Sequence, residues 1–195
     1  DSTSLFFGAN QGTEQFTTLE NNLVKVTFSN KGGRVVSATL KEYNNQQGEP
    51  LTLFNEEESS LNFAFDGKNE NILTKDMFFQ PTHVTDSTVT MRLQTTGTGY
   101  IDFSYRLLPD AYMVNFDIRA VGMQNFFPAA QKTVNIDWFQ RARQQEKGYD
   151  FEQRYTSLTY KPVDDGSDYL SEMSDDKETF EEPMEWIAFK NQFFS

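Results

Sequence analysis

One histidine, no cysteine and 29 acidic side chains bound the chemistry open to this chain. Imidazole acid–base catalysis would rest on His83 alone, in Gln80-Pro81-Thr82-His83-Val84. A single histidine beside a proline, where a strand begins, reads as a surface or edge residue. Glycoside hydrolysis needs two carboxylates about 5–10 Å apart across the scissile bond. With this many acids some such pair arises by chance, and the runs Glu56-Glu57-Glu58, Asp175-Asp176 and Glu181-Glu182 read as solvated loop faces. Asp164-Asp165-Gly166-Ser167-Asp168 lacks the alternating ligands and closing Glu of an EF-hand loop, and reads as a hydrated acidic loop. Without cysteine there is no disulfide framework, thiolate zinc site or cysteine nucleophile. The sequence also lacks a Gly-rich phosphate loop, a serine nucleophile elbow and a metal-spaced histidine pair. No catalytic residue, cofactor or metal ligand is expected.

Binding chemistry narrows in the same way. The formal net charge is -12, which repels nucleic acid and anionic headgroups, so neither DNA nor RNA is expected as a partner. No apolar run approaches the roughly 18–20 residues that span a bilayer. The chain opens Asp1-Ser2-Thr3-Ser4 and ends Phe193-Phe194-Ser195, and it is expected to be a piece of a longer protein.

The elements that would position any site follow a period of two. At 195 residues, 37% hydrophobic with 19 Phe, the chain is large enough for one well-cored domain. Residues 1–19 are polar around Leu5-Phe6-Phe7 and are expected to be a loosely held lead-in, with the domain proper over 20–195. From Leu23 to Phe28, Val24, Val26 and Phe28 share one face, opposite Lys25 and Thr27. Asn30-Lys31-Gly32-Gly33 then supplies the positive φ angles of a reversal, after which Val36, Ala38 and Leu40 alternate. Gly33→Val is expected to destabilise the fold by about 1–3 kcal/mol through a positive φ at that residue. Leu61, Phe63 and Phe65 repeat the pattern, as do Val89, Met91 and Leu93. Ile101, Phe103, Tyr105 and Leu107 precede a Pro109-Asp110 turn, and Tyr112, Val114, Phe116, Ile118 and Ala120 follow it. Val134, Ile136 and Trp138 make another strand. Such a series predicts an all-β antiparallel fold, one face of each sheet buried and one wet. From about 141 the pattern dissolves, and 161–182 reads as loop. Apolar residues at 186, 187, 189, 193 and 194 fit a short helix over 184–194.

Several of these segments resemble one family. Leu23-Val24-Lys25-Val26-Thr27-Phe28-Ser29-Asn30-Lys31-Gly32-Gly33-Arg34-Val35, with Leu40 and Tyr43, is similar to the opening of the periplasmic domain of YidC-type membrane protein insertases. Tyr105-Arg106-Leu107 and Tyr112-Met113-Val114-Asn115-Phe116 sit where that family has a central hairpin. Trp186-Ile187-Ala188-Phe189-Lys190-Asn191-Gln192-Phe193-Phe194 resembles its C-terminal segment, which leads toward the second transmembrane helix.

The resemblance implies a large β-supersandwich, similar to galactose mutarotase, with a short C-terminal helical element. It implies a non-catalytic domain on the periplasmic face of the bacterial inner membrane, between the first two transmembrane helices of a multi-pass protein. The implied partners are the insertase's own transmembrane bundle, accessory subunits of the Sec translocon, and nascent membrane proteins engaged by the full-length protein. Trp186, Ile187, Phe189, Phe193 and Phe194 become candidates for contact with the bundle, and Gly32 and Gly33 remain a structural turn. The alternative is a secreted carbohydrate-binding or sugar-modifying sandwich. Mutarotase-type chemistry uses His and Glu, leaving only His83, whereas binding would use Tyr100, Tyr149, Tyr155 or Tyr160 as platforms.

Overall fold

Alternation of apolar and polar residues becomes antiparallel sheet throughout the computed structural model of the chain. The structure describes residues 2–44, 47–54, 59–111, 114–123, 125–127, 133–140, 154–163 and 168–172, the last three stretches by backbone placement. The described strands are β1 (Phe16–Glu20), β2 (Val24–Ser29), β3 (Arg34–Asn44), β4 (Pro50–Phe54), β5 (Ser59–Asp66), β6 (Asn71–Leu73) and β7 (Gln80–Pro81). They continue as β8 (Thr88–Gln94), β9 (Tyr100–Leu107), β10 (Val114–Val121), β11 (Thr133–Gln140), β12 (Arg154–Val163) and β13 (Asp168–Glu172). One sheet has the order β1-β2-β3-β4, the other β6-β5-β11-β12-β13-β10-β9-β8-β7. Pairing among the described strands is antiparallel.

The alternation sorts the faces of β8 and β9 as the sequence predicts, and β3 shows a local exception. In β8 and β9, Val89, Met91, Leu93, Ile101, Phe103, Tyr105 and Leu107 are buried, and the residues between them face outward. In β3, Val35 and Val36 are both buried. Thr27 pairs with Ser37 but Phe28 pairs with Val35, so β3 carries one extra residue there. That bulge turns both valines inward, which strict alternation forbids.

Two segments differ from the sequence reading. The supposed lead-in is docked: β1 pairs with β2 from Phe16↔Ser29 to Glu20↔Lys25, a 3-10 turn spans Phe7–Asn10, and Phe6 is fully buried. Phe6 meets Phe126 edge-on at 5.5 Å. Polar residues here serve backbone and side-chain hydrogen bonding rather than solvation: the Ser4 hydroxyl donates to the Glu70 carboxylate at 2.9 Å, and the Thr96 N–H donates to the Leu5 carbonyl at 2.8 Å.

The region where alternation dissolves also contains sheet. β11 pairs with β5, β12 with β11, and β13 with both β12 and β10. These strands fill the middle of the larger sheet and join its two halves. Arg154–Val163 is Thr- and Tyr-rich, which suits a strand but leaves little apolar contrast, and Pro162 argues against a central strand. That proline sits at the turn end of β12, opposite Tyr169. The helical segment expected over 184–194 lies outside the described residues.

Aromatic rings bind the two sheets into one core. Phe28 of the smaller sheet lies 4.6 Å from Tyr105 of the larger, and Tyr105 lies 4.9 Å from Phe116. Phe103 contacts Phe63 at 4.7 Å and Phe79 at 4.8 Å. These offset and tilted pairs add to the burial of large apolar rings, the dominant stabilising contribution in such a core.

Candidate functional site

The predicted glycine turn sits where three chain segments meet. Gly32 and Gly33 have φ of 81° and 61°, the left-handed region that glycine enters without penalty. Asn30, nearly buried, is the hub. Its side-chain carbonyl accepts the Gln15 N–H at 2.7 Å, and its side-chain amide donates to the Thr13 carbonyl at 3.0 Å. Its backbone carbonyl accepts the Phe79 N–H at 2.8 Å. The Ser29 hydroxyl donates to Glu14 at 2.7 Å, and the Gly32 N–H donates to the Met77 carbonyl at 2.8 Å. From β9, the Tyr105 hydroxyl donates to the Gly33 carbonyl at 2.5 Å. Burial of the Tyr105 ring disfavours the phenolate and pushes its pKa well above the ordinary tyrosine value.

A cleft of about 510 Å³ opens against this hub, between residues 8–15, the 78–81 segment and the end of β8. Gln11, Gln15, Gln80, Thr13 and Thr96 line it together with Phe78. Gly12 is what lets the chain pass Phe78: a Cβ there would lie 2.6 Å from the ring. A second cleft, of about 430 Å³, lies on the other side of the N-terminal segment, between Glu70 and the β8–β9 turn. The sequence reading assigned no ligand to Gln11, Gln15 or Gln80. Polar uncharged residues scattered over 11–80 carry no motif, and the fold alone brings them together.

Of the other candidates, the described His83 and Tyr100 line neither cleft. His83 is exposed, its Nδ1 3.3 Å from the Thr82 hydroxyl. Tyr100 is not a free platform, because the Arg92 guanidinium lies 3.7 Å from its ring centroid. Arg92 also grips Asp102 with two hydrogen bonds, of 2.9 and 3.0 Å, and this bonding raises the guanidinium pKa further. On the smaller sheet the exposed Glu20 carboxylate pairs with Lys41, and that hydrogen bond lowers its pKa. Tyr155 and Tyr160 fall in β12, described by its backbone, and Tyr149 lies outside the described residues. The runs Glu56-Glu57-Glu58, Asp175-Asp176 and Glu181-Glu182 also lie outside the described residues, as do Asp164-Asp165-Gly166-Ser167 and Trp186, Ile187, Phe189, Phe193 and Phe194. Among the described residues no acidic or histidine cluster is placed to hold a metal ion, and no helix is long and apolar enough to cross a membrane.

Comparison with known proteins gives the context. A membrane protein insertase YidC of Phocaeicola vulgatus is 72% identical over 195 residues, all of this chain and 31% of that protein. The protein of the same name from Bacteroides fragilis is 51% identical over 195 residues, all of this chain and 32% of that protein. One from Porphyromonas gingivalis is 37% identical over 193 residues, 98% of this chain and 31% of that protein. The chain thus spans about a third of the length of these relatives. Among solved structures, a GalM/aldose epimerase homologue from C. elegans aligns with TM-score 0.42 and 8% identity, covering 67% of this chain and 51% of that one. A likeness of that size carries no argument about activity. The family model described as the YidC periplasmic domain matches residues 17–195, and with relatives this similar the chain belongs to that family.

Proposed function

We propose that the chain is a non-catalytic scaffold and interaction domain of a membrane protein insertase, on the periplasmic face of the bacterial inner membrane. The match to the periplasmic-domain family over residues 17–195 carries this reading. Relatives named as insertases are about three times longer, which leaves room for the membrane-embedded part. A rigid sandwich with an aromatic core and an acidic surface suits a support that must stay soluble beside an anionic membrane. The partners in this reading are the transmembrane bundle, nascent membrane proteins that the full-length protein handles, and accessory subunits of the Sec translocon. Contact with the bundle falls to Trp186, Ile187, Phe189, Phe193 and Phe194, a reading supported by the resemblance of this segment to the family's C-terminal one and by the enrichment of large aromatic side chains in docking surfaces.

The test uses the full-length insertase in cells depleted of their own copy. The double variant Trp186→Ala, Phe189→Ala should impair growth and membrane protein insertion more than deletion of residues 164–182. Normal growth of the double variant alongside failure of the loop deletion would place the important surface in the loop instead.

A further inference from the structure

We infer that the cleft beside the glycine turn is a binding site for a neutral saccharide. Its volume of about 510 Å³ falls within the usual range for small-molecule sites, about 300–1,000 Å³. Its lining is what sets the ligand class. Fourteen residues line it and none is charged, although charged residues make up 24% of the chain and about three would be expected. With no charged side chain in its lining, the cleft offers no countercharge to a phosphate, a carboxylate, a metal ion or an amine, whereas a neutral ligand needs none.

The polar groups that remain suit hydroxyls. Gln11, Gln15 and Gln80 make no side-chain hydrogen bond among the described residues. Each amide offers a carbonyl acceptor and two N–H donors, the pair of roles a sugar hydroxyl needs. Gln94 differs, since its amide already donates to the Gly97 and Gly99 carbonyls at 3.1 and 3.0 Å. The half-buried Phe78 ring adds an apolar surface of the kind on which pyranose C–H faces pack.

An extended peptide fits less well. Adding a strand requires a run of free backbone donors, but the wall at β7 carries Pro81, which has no N–H. The N–H groups on either side are in use: Phe78 donates to Ala9 at 2.7 Å, Phe79 to Asn30 at 2.8 Å and Thr82 to Thr90 at 2.8 Å.

The 195-residue chain would be titrated with cellotriose, chitotriose and maltotriose, followed by saturation-transfer NMR and calorimetry. Trigalacturonate would serve as the anionic control and a neutral Gln/Ser peptide as the competing class. At least one neutral trisaccharide should bind saturably, and the control and the peptide should not. Gln11→Ala and Gln80→Ala should each weaken that binding about tenfold or more while leaving the unfolding temperature unchanged, since both side chains are exposed. Three outcomes overturn the inference. These are no binding of any neutral trisaccharide up to millimolar concentration, preference for the peptide, and sugar binding that survives both Gln variants, whether or not Tyr100→Ala abolishes it.

Discussion

Gly33→Ala isolates a single contact in the turn where the sheets meet. At φ +61° an alanine costs about 1–2 kcal/mol relative to its preferred backbone. Its Cβ would also lie 2.9 Å from the Phe79 ring, which is itself buried in the core and cannot swing out. Overpacking of that kind costs about 1–3 kcal/mol. Restricting the unfolded chain returns about 0.4–1 kcal/mol. Gly48→Ala is the natural comparison: its φ is +79°, and nothing lies within 4 Å of the added methyl. The two variants share the backbone cost and the unfolded-state gain, so their difference is the Phe79 contact, about 2 kcal/mol. For a chain of this length that is roughly 4–8 °C in Tm. Urea and thermal unfolding of both variants measure it directly. Adding Phe79→Leu to Gly33→Ala should cost less than the sum of the two single changes, because the smaller side chain vacates the clash. Equal destabilisation by Gly33→Ala and Gly48→Ala, with additive behaviour of the double variant, would refute the contact.

Two other perturbations test different parts of the core. Above about pH 10, the ordinary tyrosine value, the unfolded chain ionises at Tyr105 while the folded chain keeps it neutral. Stability should be unaffected by this residue below that pH, then fall by about 1.4 kcal/mol per pH unit above it. Tyr105→Phe should remove that part of the alkaline slope in urea melts, at a cost of about 1–2 kcal/mol near neutral pH from the unpaired Gly33 carbonyl. Phe6→Ala should cost about 3–5 kcal/mol, and Phe7→Ala, whose ring is 43% exposed, no more than about 0.5. Equal effects in thermal unfolding would return residues 1–19 to the status of a loose lead-in.

Legibility followed apolar contrast. β2, β8 and β9 alternate between large apolar and polar side chains, so both the strand and its buried face can be read from the sequence. The Gly32-Gly33 turn was legible because few residues but glycine tolerate two successive positive φ angles. Contrast fails in β12 and β13, where Tyr155, Thr156, Thr159 and Tyr160 favour strands without marking a face, and Pro162 points the other way. Asp164-Asp165-Gly166-Ser167, turn-forming residues between two β-prone runs, was the available signal. Residues 2–15 failed for another reason. Their order comes from partners distant in sequence, Glu70 for Ser4, Asn30 for Gln15, Phe126 for Phe6, which no local pattern encodes. The cleft shares that origin, since Gln11 and Gln80 line one cleft only once residues 2–15 are docked.

Docking of residues 4–15 also sets what it takes to release them. The segment from Ser4 to Gln15 is tied at Glu70 and Thr96, in loops beside the larger sheet, and at Ser29 and Asn30, where β2 of the smaller sheet ends. Releasing this segment therefore breaks contacts beside both sheets at once, at buried Phe6 and at short hydrogen bonds. Exposing Phe6 costs roughly 1.5–3 kcal/mol in lost burial, plus the hydrogen bonds broken with it. The polar composition of residues 1–19 conceals that cost.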